Sequence, residues 1–582
     1  MRIKTSKSKN TINYYIIKDY TKNKKRSTAI VEKIGNTETV TKLAEKEDLT
    51  IKEWLKKYLD TYIKENSIEK EIYNVKKDSS KLIPKNVNKL YNVGYLFLKD
   101  IYYDLGLDKI CKDIENEYKF EFDLNTVLSN LIYSRIIFPS SKFKTHKLCK
   151  KFIEIPDINL NNMYRGLTYL NNKTDYIQEK IYENSLSIIN RNSKVIYFDC
   201  TNYYFEIKDA DDFKKYGINK QHQPSPQVGM GLFMDGDGLP LAINIYPGNE
   251  SETQQLIPTQ NKIIKNFKLP NTQMILCTDA AMCTDEIKRE NVKNGRGFVI
   301  TQSLKKMKKD YRDIALDPNN WRITGDLSKV YNINDIQNDE NLVNKYKNTL
   351  FYKIIDSETK SVKQDIIVTF SLKYKEYHNS VRQGQIDRAE NKINNNKGKK
   401  IDTKTNQNDF KRFIKETSTT STGEVADDYF YSLDNELINE ESKFDGFYGL
   451  ATNLNDDIET ILKVSKGRWE IEESFRIMKH DFVARPVNLS REDRITAHFL
   501  TCYISLLVYR LLEKKLNNKY SISEILDTLK AMNVHEMTGY GYTPIYERTD
   551  LTDELHELFK IRTDTELISY KNLKKFLEQL EQ

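Results

Sequence analysis

The 582-residue sequence has few features of secreted or membrane-bound proteins. Its six cysteines are scattered, without a Cys-x2-Cys pair or a Cys/His zinc spacing, and this predicts reduced thiols. The basic start "MRIKTSKSKN" has no apolar segment after it, so no secretory signal is predicted. No uninterrupted apolar run reaches about 18 residues, which predicts no membrane span and a cytoplasmic protein. "FLTCYISLLVYRLL" at 499–512 is short and interrupted, and predicts a buried helix.

Charge is nearly balanced over the whole chain but not along it. The net charge is +8, from 92 Lys and Arg against 84 Asp and Glu. Residues 1–33 alone carry ten Lys or Arg against Asp19 and Glu32. Such a basic arm suggests a polyanionic partner. The length predicts about two to four domains.

The first 190 residues divide into two predicted domains. "INYYIIKDYTKNKKRSTAIVEKIG" predicts two strands around a basic turn, followed by a charged helix at 41–70, so that 1–80 form a basic arm with a β-hairpin and a helix. Residues 81–190 have apolar residues at helical spacing, as in "LNTVLSNLIYSRII". A helical domain after a basic arm suits DNA binding, although helix packing explains the pattern equally well. No clear helix-turn-helix signature is present.

Residues 191–304 change from helical periodicity to short apolar runs. "VIYFD" ends at Asp199, two strands join at Gly236–Gly238, "QMILCTDAA" contains Asp279, and "GFVITQS" follows. The order is three strands, helix, strand, helix, strand. It predicts an α/β fold with a mixed five-stranded sheet, in which the first three strands form a meander and the others are parallel. This is the layout of a ribonuclease H-like core.

Three further segments complete the predicted organisation. Residues 305–443 are expected to be a β-rich insertion with a second hairpin, "TLFYKII" and "VKQDIIVTFSL". Within it, 374–416 form a basic segment, partly helical, with a mobile tip at "NNNKGKK". Residues 444–515 return to the core with the strand-like "FDGFYGLATN" and the helix described next, and 516–582 form a C-terminal helical region.

The stretch "RWEIEESFRIMK" at 468–479 predicts an amphipathic helix. Its apolar stripe continues just beyond it and consists of Ile471, Phe475, Met478 and Phe482. A different face carries Arg468, Glu472, Arg476 and Lys479. Mixed charges at this spacing usually form a solvated surface. The alternative is a helix that places the Glu472 carboxylate in a catalytic site.

Two aspartates provide candidate partners for Glu472. Asp199 and Asp279 each follow an apolar strand, where a lone carboxylate is costly to bury. Together the three carboxylates predict a site for two divalent metal ions. Magnesium prefers such hard oxygen ligands, and two ions would activate a water or a 3′ hydroxyl and stabilise the leaving oxygen. The alternative is that Asp199 caps a turn and Asp279 caps a helix.

The motifs resemble those of bacterial insertion-sequence transposases of the DDE type, over about 1–550. "SKGRWEIEESFRIMKHDFVARPV" resembles their third acidic motif, Tyr-x2-Arg-x3-Glu-x6-Lys, which Arg468, Glu472 and Lys479 match. "VIYFDCTNYYFE" and "ILCTDAAMCT" resemble the strands of the first and second aspartates. The chain departs at Ser465, which replaces the family's Tyr. It also has Gln223 and Ser225 where relatives often carry Arg and Asp.

The resemblance implies a transposase that cuts the ends of an insertion sequence and joins the 3′ ends to target DNA. It implies Asp199, Asp279 and Glu472 as catalytic metal ligands for two Mg²⁺ ions, with Mn²⁺ able to substitute. Double-stranded DNA, both terminal inverted repeats and target, would be the partner of a homodimer on DNA. The predicted DNA-binding residues are Arg468, Trp469, Arg476 and Lys479. Trp469 would stack on a displaced base or pack the helix, and His498 lies near the site or at the edge of the core.

Two other functions remain open from the sequence. One is a ribonuclease H-like nuclease or resolvase without strand transfer. The other is an inactive, transposase-derived DNA-binding protein, which Ser465 favours and the intact acids oppose.

Overall fold

The computed structural model describes most of the chain as two compact units. The first comprises Met1–Val87, Thr538–Gly541 and Ser569–Lys575, and the second comprises Asn88–Met537, Tyr542–Ile568 and Phe576–Gln582. The described residues are 1–581 without 9–10, 23–24, 48, 67–72, 76–77, 218–224, 271, 360–361, 397–400, 402–408 and 417–429. Gln223, where relatives often carry another residue, and most of the predicted mobile tip "NNNKGKK" therefore lie outside the described residues.

The basic N-terminal segment is a folded antiparallel sheet of three strands, where the sequence suggested two. Ile16 is buried on it, and Val40 and Trp54 are buried in the helices that follow. The predicted single helix at 41–70 is two helices, and Asn36 begins the first by accepting a hydrogen bond from Thr39 N at 2.9 Å. The elements are β1 (Arg2–Ser8), β2 (Thr11–Lys22), β3 (Lys25–Asn36), α1 (Thr37–Glu45) and α2 (Ile51–Asn66).

The region 88–190 is helical, as its periodicity predicts. Asp123 caps the most central helix by accepting from Thr126 N at 2.9 Å, and every residue of that helix except Asn125 and Thr126 is buried. Its bulky apolar side chains therefore pack on all sides rather than along one stripe. The elements are β4 (Leu90–Asn92), α3 (Leu96–Asp104), α4 (Leu107–Tyr118), α5 (Leu124–Ile137), α6 (Lys142–Leu148), α7 (Leu160–Asn172) and α8 (Thr174–Ile188).

The predicted meander and parallel strands are both present. The strand order is β7-β6-β5-β8-β9, with antiparallel pairs up to β5 and parallel pairs after it. Gly238, at φ +76°, allows the tight turn between β6 and β7. The elements are β5 (Val195–Tyr204), β6 (Gln227–Asp235), β7 (Pro240–Pro247), α9 (Glu252–Asn266), β8 (Ile275–Thr278), α10 (Asp285–Lys293) and β9 (Gly297–Thr301).

The insertion does not stand apart from this sheet, so the predicted five-stranded sheet is wrong. Strand β16 pairs antiparallel with β9 and with β13, and the sheet continues to ten strands in the order β11-β10-β12-β13-β16-β9-β8-β5-β6-β7. The predicted second hairpin is β12 and β13. The insertion is mixed rather than β-rich, since the 23-residue α14 occupies its basic segment. The elements are α11 (Lys309–Leu316), β10 (Trp321–Ile323), β11 (Asp326–Tyr331), α12 (Ile333–Asn338), α13 (Glu340–Tyr346), β12 (Phe351–Thr359), β13 (Val362–Phe370), α14 (Leu372–Asn394), β14 (Ile414–Glu416), β15 (Tyr431–Leu433), α15 (Asn435–Ser442) and β16 (Phe447–Thr452).

The last part of the chain contains the charged helix and the main core helix. Among the described residues, α18 alone is long and apolar enough to cross a membrane, and 94% of its most apolar window is buried inside the protein. The prediction of a buried helix there is confirmed. All six cysteines are described and are free thiols. The elements are α16 (Ile458–Gly467), α17 (Trp469–Arg476), α18 (Glu492–Lys515), α19 (Ile522–Ala531), β17 (Asn533–Met537), β18 (Gly541–Pro544), α20 (Asp550–Phe559), β19 (Ile568–Ser569) and α21 (Tyr570–Gln579), so the C-terminal region also contains strands.

Candidate active site

Strand β5 divides its side chains between two faces. Ile196, Phe198 and Cys200 are buried in the apolar cluster of the sheet. Because side chains alternate along a strand, Asp199 projects from the opposite face, and its residue is only 6% exposed. The strand runs five residues beyond Asp199, to Tyr204, because it stays paired with β6. Asp199 thus lies within a strand and not at its end, and the alternative of a turn cap is wrong.

The parallel register predicts neighbouring positions for the two aspartates. Tyr197 on β5 pairs with Cys277 on β8, and the ladder ends at this pair. Asp199 and Asp279 each follow two residues later, so the same register continued would put them opposite one another, with neighbouring strands about 4.8 Å apart. Asp279 accepts hydrogen bonds from Ala281 N at 3.0 Å and Met282 N at 3.3 Å, so it does cap a 3-10 turn. Asp279 therefore has a capping role, and its position beside Asp199 stays a prediction.

The end of α16 covers the same face of β5. A Cβ atom added to Gly467 would lie 2.1 Å from the hydroxyl oxygen of Tyr197, so this close approach requires glycine. The thiol of Cys277 lies 3.8 Å from the Val464 carbonyl oxygen, which brings α16 against β8 as well. The charged helix α17 starts immediately after this contact. Packing of α16 therefore places the start of α17 over the face that carries Asp199.

Arg468 interacts with two of the predicted metal ligands, Glu472 and Asp199. Its guanidinium forms a 2.8 Å ion pair with Glu472, whose side chain is 57% exposed. Burial alone would lower the pKa of Arg468, but Glu472, Tyr448 and Asp199 together raise it above its ordinary value. Arg468 is thus paired with Glu472 and within electrostatic range of Asp199.

Lys479 reaches the strand of Asp199 from the next turn. It lies in a π-helical turn, Ile477–Asp481, which changes the helical phase after α17. Its ammonium contacts the hydroxyl of Thr201 and lies 5.5 Å from the ring centre of Tyr203. Lys479 is half-buried where it makes this contact.

The remaining predicted residues are less closely joined to this face. Arg476 does not face Glu472. It pairs with Glu473 at 2.6 Å and Asp481 at 3.2 Å. Trp469 is 57% exposed, so it does not pack the helix internally. His498 is buried and lies 3.0 Å from the Ala484 carbonyl oxygen, as expected of a histidine at the edge of the core.

Other acids of the region have structural roles. Asp235, the last residue of β6, is fully buried in a 2.6 Å ion pair with Arg191. Residues missed by the sequence analysis are Tyr197, Thr201 and Gly467. The first two could have been found from alternation along the strand, which puts them on the face of Asp199. The role of Gly467 depends on a helix–strand approach that leaves no local signal.

The donor set partly fits a magnesium site. Asp199 and Asp279 have hard carboxylate oxygens, the ligand type that Mg²⁺ prefers. Glu472 is engaged by Arg468, and no three His, Cys, Asp or Glu side chains within the described residues are grouped so as to hold a metal ion. The metal-ligand assignment therefore stays a prediction, and it requires the Glu472 side chain to turn away from Arg468.

A family of known proteins matches the part of the chain that contains the candidate site. The family described as "Transposase DDE domain" matches residues 193–508, from just before β5 to within α18. The chain belongs to this family, which confirms the resemblance to DDE-type transposases. A solved structure entitled "Cryo-EM structure of piggyBac transposase synaptic complex with hairpin DNA (SNHP)" is similar at 7% identity and a TM-score of 0.33, over 84% of each chain. A likeness this low carries no argument. No curated protein matches the sequence.

Proposed function

We propose that this protein is a DNA transposase that cuts the ends of an insertion sequence and joins the freed 3′ ends to target DNA. The observation that carries the proposal is the face of β5 with Asp199, which the end of α16 covers just before the helix of Arg468 and Glu472 begins. Asp279 is the predicted neighbour of Asp199. Membership of the DDE family supports it. The order β7-β6-β5-β8-β9 supports a ribonuclease H-like core within the larger sheet. The protein would work in the cytoplasm, on double-stranded DNA.

The residues of the proposed site have two kinds of task, metal binding and phosphate binding. Asp199, Asp279 and Glu472 would hold two Mg²⁺ ions, or Mn²⁺ in their place. When bound, these ions would supply charge neutralisation and an activated oxygen nucleophile. Glu472 has to leave Arg468 to join the aspartates, and this movement frees the guanidinium for a DNA phosphate. Lys479, fixed on Thr201, would hold a second phosphate near Asp199.

The test uses isosteric variants, which remove charge but keep shape. Asp199→Asn, Asp279→Asn and Glu472→Gln should each abolish cleavage of DNA that carries the element end, while binding in EDTA persists. Asp212→Asn is the matched control, because Asp212 is fully exposed and is not one of the proposed ligands, and it should cut at the wild-type rate. Wild-type cleavage by Asp279→Asn would show that the assignment is wrong.

Joining separates the proposal from a simple nuclease. A pre-cut element end with a free 3′ hydroxyl, labelled at the 5′ end of the same strand, should become covalently linked to plasmid DNA in the presence of Mg²⁺. Cutting without joining would identify a nuclease or resolvase instead. Specific binding without cutting would identify an inactive DNA-binding relative, and the substitution Ser465→Tyr would then test whether the missing tyrosine is the cause.

A further inference from the structure

A basic cavity with two buried cations in its lining, Arg135 and Lys142, lies outside the proposed active site. Its volume is about 130 Å³, roughly ten times the 10–15 Å³ that one water requires. The end of α5, the start of α6, the loop 483–489 and α18 form its walls. Arg135, Ser140, Ser141, Lys142, Asn488 and His498 supply its polar lining.

The cations of this cavity lack an acidic partner among the described residues that line it. Lys142 is 4% exposed and Arg135 is 3% exposed. The Lys142 ammonium and the Nε atom of Arg135 are both buried without a hydrogen-bond partner. Burying charges in this way is costly unless something compensates them. The cavity therefore has unused donors and unbalanced positive charge.

The remaining neighbours do not supply the missing negative charge. Burial raises the pKa of the Cys502 thiol, although Arg135 and Lys142 act in the opposite direction. Burial, Lys142 and Arg135 hold the pKa of His498 well below its usual value, so its ring is neutral. Burial, reinforced by Arg135, lowers the pKa of Lys142 to about 7. Burial is the largest cause of all three shifts, and the neighbouring cations add a positive field that no acid among the described residues of the cavity lining compensates.

Arg135 also connects the cavity to the segment that follows the charged helix. Its Nη1 atom donates to the carbonyl oxygens of Phe482 at 3.0 Å and Val483 at 3.2 Å, and its Nη2 atom donates to the carbonyl oxygen of Ser140 at 3.1 Å. Val483 has φ +46°, a conformation that a β-branched residue rarely adopts. The guanidinium thus holds an unusual backbone turn four residues after Lys479, with Nε left over.

We propose that this cavity binds a phosphate group, supplied either by the backbone of bound DNA or as free inorganic phosphate. A guanidinium, an ammonium and two serine hydroxyls are donors that suit a tetrahedral oxyanion. The DNA source rests on the proposed function, whereas the free-phosphate source does not. A chain that fails to cut DNA would therefore leave the second part of the proposal intact.

The first experiment titrates inorganic phosphate into the full-length protein by calorimetry, at pH 6.5 and constant ionic strength. We expect one phosphate per chain for the wild type, and binding weakened by at least about tenfold in Lys142→Met, since a hydrogen bond to a charged group is removed. Lys144→Met is the matched control, because Lys144 carries the same charge on the same helix but is exposed. Lys142→Gln serves as a second variant if the Met variant fails to fold.

The second experiment measures affinity for duplex DNA against salt. If a DNA phosphate occupies the cavity, the slope of log affinity against log salt should be shallower by about 0.9 in Lys142→Met, and more so than in Lys144→Met. Phosphate binding without a slope change identifies free phosphate as the ligand, and a slope change alone identifies DNA. The proposal is overturned if the wild type binds no phosphate and the two variants have equal slopes. Equal losses of phosphate binding in both variants would also overturn it.

Discussion

Phe475 is the residue that ties the charged helix to the protein interior. The predicted apolar stripe is confirmed, because Ile471, Phe475, Met478 and Phe482 are all buried, with Phe475 only 6% exposed. The face opposite this stripe is therefore presented in one orientation. The helix is consequently neither a free surface helix nor a uniformly buried one.

Truncating Phe475 should destabilise the protein. Phe475→Ala is expected to lower the free energy of unfolding by about 3–5 kcal/mol, through reduced burial and the cavity that it leaves. Urea denaturation followed by tryptophan fluorescence and circular dichroism measures the change. Trp469→Ala, at an exposed position of the same helix, is the control for stability by circular dichroism and should stay within about 0.5 kcal/mol of wild type. Equal effects of the two substitutions would contradict this packing of the helix.

Lys142 should make stability depend on pH in phosphate-free buffer. Its pKa is about 7 in the folded protein, against an ordinary value of 10.5. Between these values the unfolded chain binds more protons, so the free energy of unfolding rises with pH, by up to about 1.4 kcal/mol per pH unit. This contribution is fully present above 10.5 and is lost as the pH falls through 7.

The comparison with Lys142→Met isolates this contribution from other titrating groups. The variant should exceed the wild type in stability most below pH 7, and the difference should shrink as the pH approaches about 10. Denaturation midpoints at a series of pH values measure it. A difference that is constant with pH would mean that Lys142 titrates normally in the folded protein.

At the level of elements, the basic N-terminal segment is a folded sheet, so its positive charge is best tested by point substitutions. Ile16 is buried within the strands, so deleting residues 1–33 would remove part of the core of this unit together with its charge. Lys4, Lys7 and Lys18 are exposed on β1 and β2 and can be replaced without that damage. They are therefore the better probes of DNA binding.

Replacing Lys4, Lys7 and Lys18 together by Ala should weaken DNA binding and flatten its dependence on salt. For each DNA phosphate that the protein no longer neutralises, the slope of log affinity against log salt should become shallower by about 0.9. The triple replacement by Arg keeps the charge and should leave the slope nearly unchanged. If the Ala variant keeps the wild-type slope, the sheet is not a DNA-binding element.

At the level of the whole molecule, transposition requires two element ends to be held together. We therefore expect light scattering to give the mass of two 68.5 kDa chains plus two DNA ends once the cleaved end is added. DNA of the same length without the element end is the control. A stable, active complex with one chain per DNA end and no pairing would contradict the expected homodimer.

Local sequence patterns were sufficient for the elements that form between chain neighbours. The strands of Asp199 and Asp279, the β6–β7 hairpin and its glycine turn, and the buried helix α18 follow from short-range periodicity and turn chemistry. The candidate catalytic residues come from the same motifs together with the resemblance to a family. Alternation along β5 also determines which side chains share the face of Asp199.

Long-range pairing and side-chain partners were decided only in the tertiary structure. The pairing of β16 with β9 and β13, which builds a ten-stranded sheet from a predicted five, joins strands separated by long stretches of chain. Register between such strands depends on how whole faces pack, and no local pattern encodes it. The same holds for Glu472, which pairs with Arg468, whereas Arg476, one turn further along the helix, binds Glu473 and Asp481 instead. The Lys142 cavity likewise exists only because α5, α6, α18 and the loop 483–489 meet. These segments are far apart in the sequence, so the sequence does not reveal that Lys142 and Arg135 come together without an acidic residue among the described residues of the cavity lining.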